Sequence, residues 1–334
     1  MSKILITGGT GCIGAATIKK LLEDSSVERI AVISRSGNPG LLKLWQGESL
    51  DGRIAFVNAD IADGEGVAKI VAEENPTHMM HLGALQSPAC DADPALGMKI
   101  NVGGVLAILD AAKKLPGLQR FVFASSAAVY GKRAQYDMDI IPEQVALNPP
   151  NLYGVWKLAG EELVRLFHEQ TGVPCVSLRL NTTYGPGRDL GKTSAVTMAM
   201  KSIALGHATG EKIPFRMPYQ GRENYHYVLD VGHHFAACAT SPFEGCGAFN
   251  IRGTTITVSE FLQAMRDTAG KLGMADSVDI QLIDSPDENL FVCDLDDASV
   301  QSAFSGMPKT EIVDGIEKSL AKFQEMASQG KLNV

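Results

Sequence analysis

The chain has 334 residues, 45% of them hydrophobic, and carries a formal net charge of −8 with a pI near 5.4. This apolar content is sufficient for a buried core, and the acidic balance provides no positive field for nucleic acid or anionic lipid. We therefore expect small-molecule partners, with no nucleic acid and no membrane. The apolar stretch after Met1 is too short for a signal peptide or a membrane span, which predicts a cytoplasmic protein.

The cysteines are scattered along the chain without CxxC spacing, which argues against both a disulfide framework and a zinc site. We expect reduced, mostly packed thiols and no metal. The six cysteines are Cys12, Cys90, Cys175, Cys238, Cys246 and Cys293.

Short β-branched runs alternate with longer segments of helical period through residues 1–180. The predicted strands are 3–7, 29–34, 54–60, 77–82, 120–124 and 174–180. The predicted helices are 13–23, 64–74, 94–114 and 153–170. This alternation is typical of an α/β protein, a doubly wound Rossmann sheet of parallel strands covered by helices on both faces.

The helix at 153–170 has an amphipathic pattern that predicts one packed and one solvated face. The predicted packed residues are Trp156, Ala159, Leu163 and Leu166. The predicted solvated residues are Glu161, Glu162, Arg165 and Glu169.

The alternation lapses after Gly187, where mixed helices and polar loops predict a second, smaller domain. Within it, Thr257 followed by Glu260 predicts a capping box that opens a helix through about Thr268. A terminal amphipathic helix is predicted at 310–328.

A glycine-rich turn joins the first predicted strand to the first helix, with Gly8, Gly11 and Gly14 in GxxGxxG spacing. Glycines there let a pyrophosphate approach the backbone amides at the helix N-terminus, where the helix dipole favours an anion. The turn, including Cys12 and Ile13, therefore predicts dinucleotide binding.

The residues after the second strand bear on the choice between NAD and NADP. An acidic residue there would bind the free 2′-hydroxyl of NAD, but Ser34 and Arg35 occupy the place. A hydroxyl beside a guanidinium favours NADP slightly, while an arginine lying against the adenine of NAD is the alternative. Asp60 and Ile61 are predicted at the adenine edge, although Asp60 could equally cap the following turn.

Three residues are candidates for catalysis. Tyr153 and Lys157 are four residues apart and so lie on one face of a helix, where the lysine charge can stabilise a tyrosine phenolate whose free pKa is near 10. Ser126, at the end of the fifth strand, can donate to the same substrate oxygen. This Ser-Tyr-Lys group predicts hydride transfer at a carbinol or ketone carbon.

With these motifs the chain resembles the extended short-chain dehydrogenases/reductases, in the group of NAD-dependent epimerases and dehydratases. Further similar segments are His81-Leu82-Gly83-Ala84, Asn101-Val102-Gly103-Gly104, Leu178-Arg179 through Gly187, Tyr227 to Val231, and Asp294 to Gly315. The resemblance implies Ser126 as the catalytic serine, Tyr153 as the acid/base and Lys157 as the ribose-binding lysine. It also implies cofactor contacts from Leu82, Gly83, Ala84 and Asn101.

The resemblance also implies the domain organisation. The dinucleotide-binding domain would comprise 1–180 with 223–250 returning to it, and the substrate domain 181–222 and 251–334. Family members commonly dimerise through the helix after Asn101 and the helix carrying Tyr153, which implies a homodimer.

Some positions depart from the pattern of sugar-nucleotide enzymes. Ala127 and Ala128 stand where dehydratases carry Asp-Glu, which disfavours dehydration. Thr182 replaces an asparagine that helps hold a diphosphate, whereas Arg222 resembles the residue that grips a nucleotide phosphate. With these two residues, Gln86 and Ser126 are the candidate substrate contacts.

Three functions remain open. The first is an oxidoreductase acting on a small polar, sugar-like compound, and the second is a sugar or nucleotide-sugar epimerase that retains NAD. The third is a binding protein that has lost turnover, which the intact Ser-Tyr-Lys group disfavours.

Overall fold

The computed structural model describes residues 1–283 and 292–333 and divides into two compact units. The first unit comprises Met1–Leu180, Leu229–Arg252 and Leu295–Pro308, and the second Asn181–Val228, Gly253–Asp294 and Lys309–Val334. Of the predicted substrate domain, residues 284–291 and 334 lie outside the described residues. The assignment of dinucleotide binding and substrate binding to these units stays a prediction.

The first unit is built on a seven-stranded sheet. Its strands are β1 (Ser2–Thr7), β2 (Val27–Ser34), β3 (Ile54–Asn58), β4 (His78–His81), β5 (Arg120–Ser126), β6 (Cys175–Leu180) and β10 (Cys246–Asn250). Their order is β10-β6-β5-β4-β1-β2-β3, and every pair of neighbours is parallel. Because the strands are parallel, their carboxyl ends meet at one edge, where ligands bind in open α/β sheets.

Helices cover both faces of this sheet. They are α1 (Cys12–Leu21), α2 (Gly40–Gln46), α3 (Gly64–Glu74), α4 (Ala89–Ala92), α5 (Pro94–Met98), α6 (Gly104–Ala112), α7 (Leu152–Thr171), α9 (Val228–Thr240) and α11 (Ala298–Ala303). One apolar layer packs α1, α9 and α11 on the sheet, and a second layer packs α3, α6 and α7 on the opposite face. Burial of both faces explains why the strands are apolar throughout rather than alternating.

The second unit contains a three-stranded and a two-stranded sheet with helices. Its strands are β7 (Thr182–Tyr184), β8 (Phe215–Met217), β9 (Arg222–Tyr227), β11 (Thr254–Thr257) and β12 (Ile280–Leu282). Its helices are α8 (Ala195–Thr209), α10 (Val258–Lys271) and α12 (Ile312–Ser328). The capping box predicted at Thr257 and Glu260 is present at the start of α10, with both reciprocal bonds.

The structure confirms the predicted doubly wound fold. The six predicted strands and four predicted helical segments of the first unit all begin and end within two residues of their predicted bounds. The segment predicted as one helix at 94–114 is interrupted by a π-helical turn at Lys99–Gly103. β10 was not among the predicted strands; it pairs with β6, from which it is separated in the chain by residues 181–245.

One helical stretch, Pro94–Ala112, is long and apolar enough to cross a membrane by length and composition. Half of it is buried, and its inner residues belong to the apolar layer against the sheet. This burial is typical of a core helix.

Candidate active site

The turn between β1 and α1 is shaped so that only glycine fits at its key positions. Gly8 has a φ of +72°, and a Cβ there would lie 2.7 Å from the Gly83 nitrogen. A Cβ on Gly14 would lie 2.4 Å from the Gly8 oxygen. No side chain caps the first turn of α1, which begins after Gly11. The backbone at this helix N-terminus therefore fits the pyrophosphate of a dinucleotide.

Thr7 and His81, which were not candidate site residues, hold the loop that follows β4. The Thr7 hydroxyl accepts a hydrogen bond from the Gly83 nitrogen at 3.2 Å and lies 2.8 Å from Nδ1 of His81. Burial lowers the pKa of His81 to about 3, so the imidazole is neutral at physiological pH. This contact joins the ends of β1 and β4 and sets the position of the half-buried segment Leu82, Gly83 and Ala84.

The candidate cofactor-selecting residues lie at the end of β2. Ser34 is buried and its Oγ lies 3.3 Å from the Thr10 hydroxyl, while the Arg35 side chain is exposed. After β3, Asp60 is exposed and accepts a hydrogen bond from the Ala62 nitrogen at 2.9 Å. Asp60 therefore caps the following turn, and its contact with adenine stays a prediction.

Asn101 lies in the π-helical turn and fastens the loop after β4. Its side chain donates to the Leu85 oxygen and accepts from the Leu85 nitrogen, both at 2.9 Å. Because both backbone groups of Leu85 are bonded, as they would be to a neighbouring strand, the pair fixes the backbone that follows the predicted cofactor contacts Leu82, Gly83 and Ala84. π-Helical turns are frequent at functional sites.

Helix α7 carries Tyr153 and Lys157 against the end of β5. Asn151 caps the helix by accepting from the Gly154 nitrogen at 2.8 Å. A Cβ on Gly154 would lie 2.1 Å from the Ala128 oxygen, so glycine allows the helix to approach the segment that follows Ser126.

Lys157 is only 4% exposed. Its Nζ donates to the Ala124 oxygen at 2.6 Å and lies 4.9 Å from the ring centre of Phe123 and 5.6 Å from that of Tyr153. Burial lowers the pKa of Lys157 to about 8, against the opposing effect of Cys90 and Glu161. The side chain is therefore still mostly protonated at pH 7, and its charge lies beside the Tyr153 ring.

Ser126 is the last residue of β5. Its Oγ accepts from the Ala128 nitrogen at 3.1 Å, and the residue is 7% exposed. Lys157 contacts β5 two residues before Ser126, and a common catalytic role for Ser126, Tyr153 and Lys157 stays a prediction.

Glu161 was predicted to face solvent, and this prediction is wrong because the residue is buried. It lies one helical turn after Lys157 on α7. Arg179 of β6 binds its carboxylate through two hydrogen bonds of 2.9 and 2.8 Å, and Ser125 donates to it at 2.5 Å. The guanidinium supplies the charge that makes burial of a carboxylate possible. Leu166, predicted to be packed, is exposed, so the buried face of α7 is rotated from the predicted one.

The remaining candidate substrate residues belong to both units. Gln86 is exposed in the first unit. In the second unit, Thr182 is buried and donates to Glu223, and the exposed Arg222 forms an ion pair with Asp294 at 2.8 Å. Their substrate contacts stay predictions.

The sequence is similar to known proteins over most of its length. The model of the NAD dependent epimerase/dehydratase family matches residues 4–251. A UDP-glucose 4-epimerase from Mycolicibacterium smegmatis is 26% identical over 329 residues, which cover 96% of this chain and 98% of the relative.

Two further similarities bear on function. A D-erythronate dehydrogenase from Cupriavidus necator is 30% identical over 187 residues, or 55% of this chain and 56% of the relative. Among solved structures, a UDP-glucose 4-epimerase of Thermus thermophilus in complex with NAD has a TM-score of 0.78 at 26% identity, covering 96% of this chain and 99% of that chain.

Proposed function

Because the chain belongs to the NAD-dependent epimerase/dehydratase family, we propose that it transfers hydride at a carbinol or ketone carbon of a small polar, sugar-like substrate. It is an enzyme of the extended short-chain dehydrogenase/reductase type. The observation that carries the proposal is the buried Lys157 ammonium beside the Tyr153 ring, next to the strand that ends in Ser126.

The bound nicotinamide dinucleotide would supply the hydride acceptor or donor. The glycine turn and the α1 amides would hold its pyrophosphate, and Lys157 would hold the nicotinamide ribose. Tyr153 takes the proton from the substrate hydroxyl, or returns it, while the Lys157 charge stabilises the phenolate. Ser126 donates a hydrogen bond to the same substrate oxygen and holds it in place.

The favoured reaction is hydride exchange between substrate and cofactor, after which both products leave the enzyme. The relative named D-erythronate dehydrogenase supports it, as does Thr182 in the place of a diphosphate-binding asparagine. Ala127 and Ala128 leave no acid and base for loss of water.

Epimerisation is the second candidate function, supported by the near full-length similarity to a UDP-glucose 4-epimerase. An epimerase must retain its cofactor while the ketone reorients in the site, so that hydride can return to the opposite face. An enzyme that exchanges hydride with free cofactor releases the cofactor after each cycle. Purified protein is denatured and the supernatant assayed for nucleotide. Stoichiometric NAD would favour epimerisation, and an empty site would favour exchange.

For the cofactor, Ser34 and Arg35 support slightly tighter binding of NADP. NAD is the alternative, supported by the NAD in the T. thermophilus complex. We further propose that the protein is a cytoplasmic homodimer with a small-molecule substrate.

Replacement of Tyr153 by phenylalanine tests the mechanism. The phenol meets the reacting oxygen and contributes little to pyrophosphate binding, so Tyr153→Phe should abolish turnover while leaving dinucleotide affinity nearly intact. Turnover is measured on the substrate found by a thermal-shift screen of sugar acids, sugars and UDP-sugars, and affinity by titration. A variant that stays active but melts at a lower temperature would show that Tyr153 only packs the helix.

A further inference from the structure

Two cysteines face each other at the amino ends of neighbouring strands. Cys175 of β6 pairs in register with Cys246 of β10, and the Cys175 nitrogen donates to the Gly245 oxygen at 2.9 Å. Neighbouring strands are about 4.8 Å apart, and side chains at paired positions project from the same face. A disulfide requires Cα atoms about 4.4 to 6.8 Å apart. The backbone therefore already holds the two thiols within bonding reach.

The two thiols differ in access to solvent. Cys175 is 0% exposed, within the apolar layer under α7. Cys246 is exposed and lines an open cavity of about 630 Å³, together with Phe243 and Phe249. A small oxidant can therefore reach Cys246, whereas the buried Cys175 has no solvent-exposed surface.

The electrostatic surroundings favour the thiolate on the exposed residue. The neighbouring Cys175 thiol lowers the pKa of Cys246, and Arg165 lowers it further, against burial and the nearby Glu162 and Glu169. The Cys175 Sγ donates to the Val173 oxygen at 3.2 Å, and the adjacent Cys246, with burial, raises the pKa of Cys175. An exposed cysteine with a lowered pKa beside a second thiol is the arrangement typical of redox-sensitive cysteines.

We propose that Cys175 and Cys246 form a thiol–disulfide site that reacts with hydroperoxides. The Cys246 thiolate attacks the peroxide oxygen, the O–O bond breaks, and Cys246 becomes a sulfenic acid while the alcohol, or water from hydrogen peroxide, leaves. The Cys175 sulfur then attacks the Cys246 sulfur, the S–S bond forms and one water is released. The two thiols supply the two electrons that reduce one peroxide.

The position of this site separates it from hydride transfer. Cys175 and Cys246 lie at the amino ends of their strands, whereas Ser126 and Leu180 lie at the carboxyl ends. The bond would tie β10, the edge strand of the seven-stranded sheet, to β6. We therefore expect the oxidised protein to melt at a higher temperature than the reduced protein, since the cross-link restricts the unfolded chain.

The test is peroxide titration of the reduced full-length protein, followed by peptide mapping without reductant. One equivalent of hydrogen peroxide should remove two thiols and yield a linked peptide pair containing Cys175 and Cys246. Cys246 should react faster than the buried Cys238, the internal control. Dithiothreitol should restore both thiols.

Two variants assign the order of the steps. In Cys175→Ala, the sulfenic acid on Cys246 should persist and be trapped by dimedone, whereas the parent protein should give little adduct. In Cys246→Ser, Cys175 should stay reduced. The proposal is overturned if Cys246 links mainly to a second copy of the chain, or if Cys246 oxidises without a linked Cys175–Cys246 pair. The parent peptide map decides this even if Cys175→Ala fails to fold.

Discussion

Replacement of Lys157 by methionine isolates the cost of burying its charge. Burial lowers the pKa of Lys157 from 10.5 to about 8, so between these values the unfolded chain holds a proton that the folded chain lacks. The free energy of unfolding therefore rises with pH across this window, and the cost is fully present below pH 8. From about pH 7 to about pH 9.5, the wild type should gain about 2 kcal/mol of stability relative to Lys157→Met.

The assay is urea unfolding of both proteins without nucleotide at the two pH values. Comparison with the variant cancels the contributions of the other titrating groups to the pH dependence of stability. Methionine preserves most of the volume of the lysine side chain, which limits repacking. Replacement of the exposed Lys114 by methionine is the matched control for removal of a lysine charge from a helix end. If the stability difference between wild type and Lys157→Met is the same at both pH values, the claim that burial desolvates the Lys157 ammonium is refuted.

Three other predictions follow from the site and the surface. Ser126→Ala should lower kcat by about 10² to 10³, the cost typical of one oxyanion donor, and steady-state kinetics with unchanged activity would contradict its role. Ser34→Asp should weaken NADP binding by about 1 kcal/mol or more, because a carboxylate repels the 2′-phosphate; fluorescence titration checks this, and a parent protein that prefers NAD would contradict it. Exposed apolar side chains on α5, α6 and α7, including Leu106 and Leu166, support a homodimer. Light scattering should then give about 70 kDa, twice the 35.6 kDa chain, and a monomer at micromolar concentration would refute it.

Local patterns in the sequence were sufficient for much of the fold and the candidate site. The glycine turn lies within eight residues of the end of β1, and Tyr153 and Lys157 lie one helical turn apart. Alternating apolar strands and amphipathic helices likewise reflect short-range periodicity. Such features depend on residues near one another in the chain, so their geometry follows from helix and strand periods alone.

Only the tertiary structure decided the contacts between distant segments. Glu161 on a charged helix is indistinguishable from its solvated neighbours until β6 places Arg179 against it. Thr7 meets His81 because β1 pairs with β4, and Cys175 meets Cys246 because β10 adds to β6. The periodicity of each segment determines which elements form and which residues share a face. Which faces meet depends on strand order and on the balance of burial against charge pairing, and these are properties of the assembled sheet.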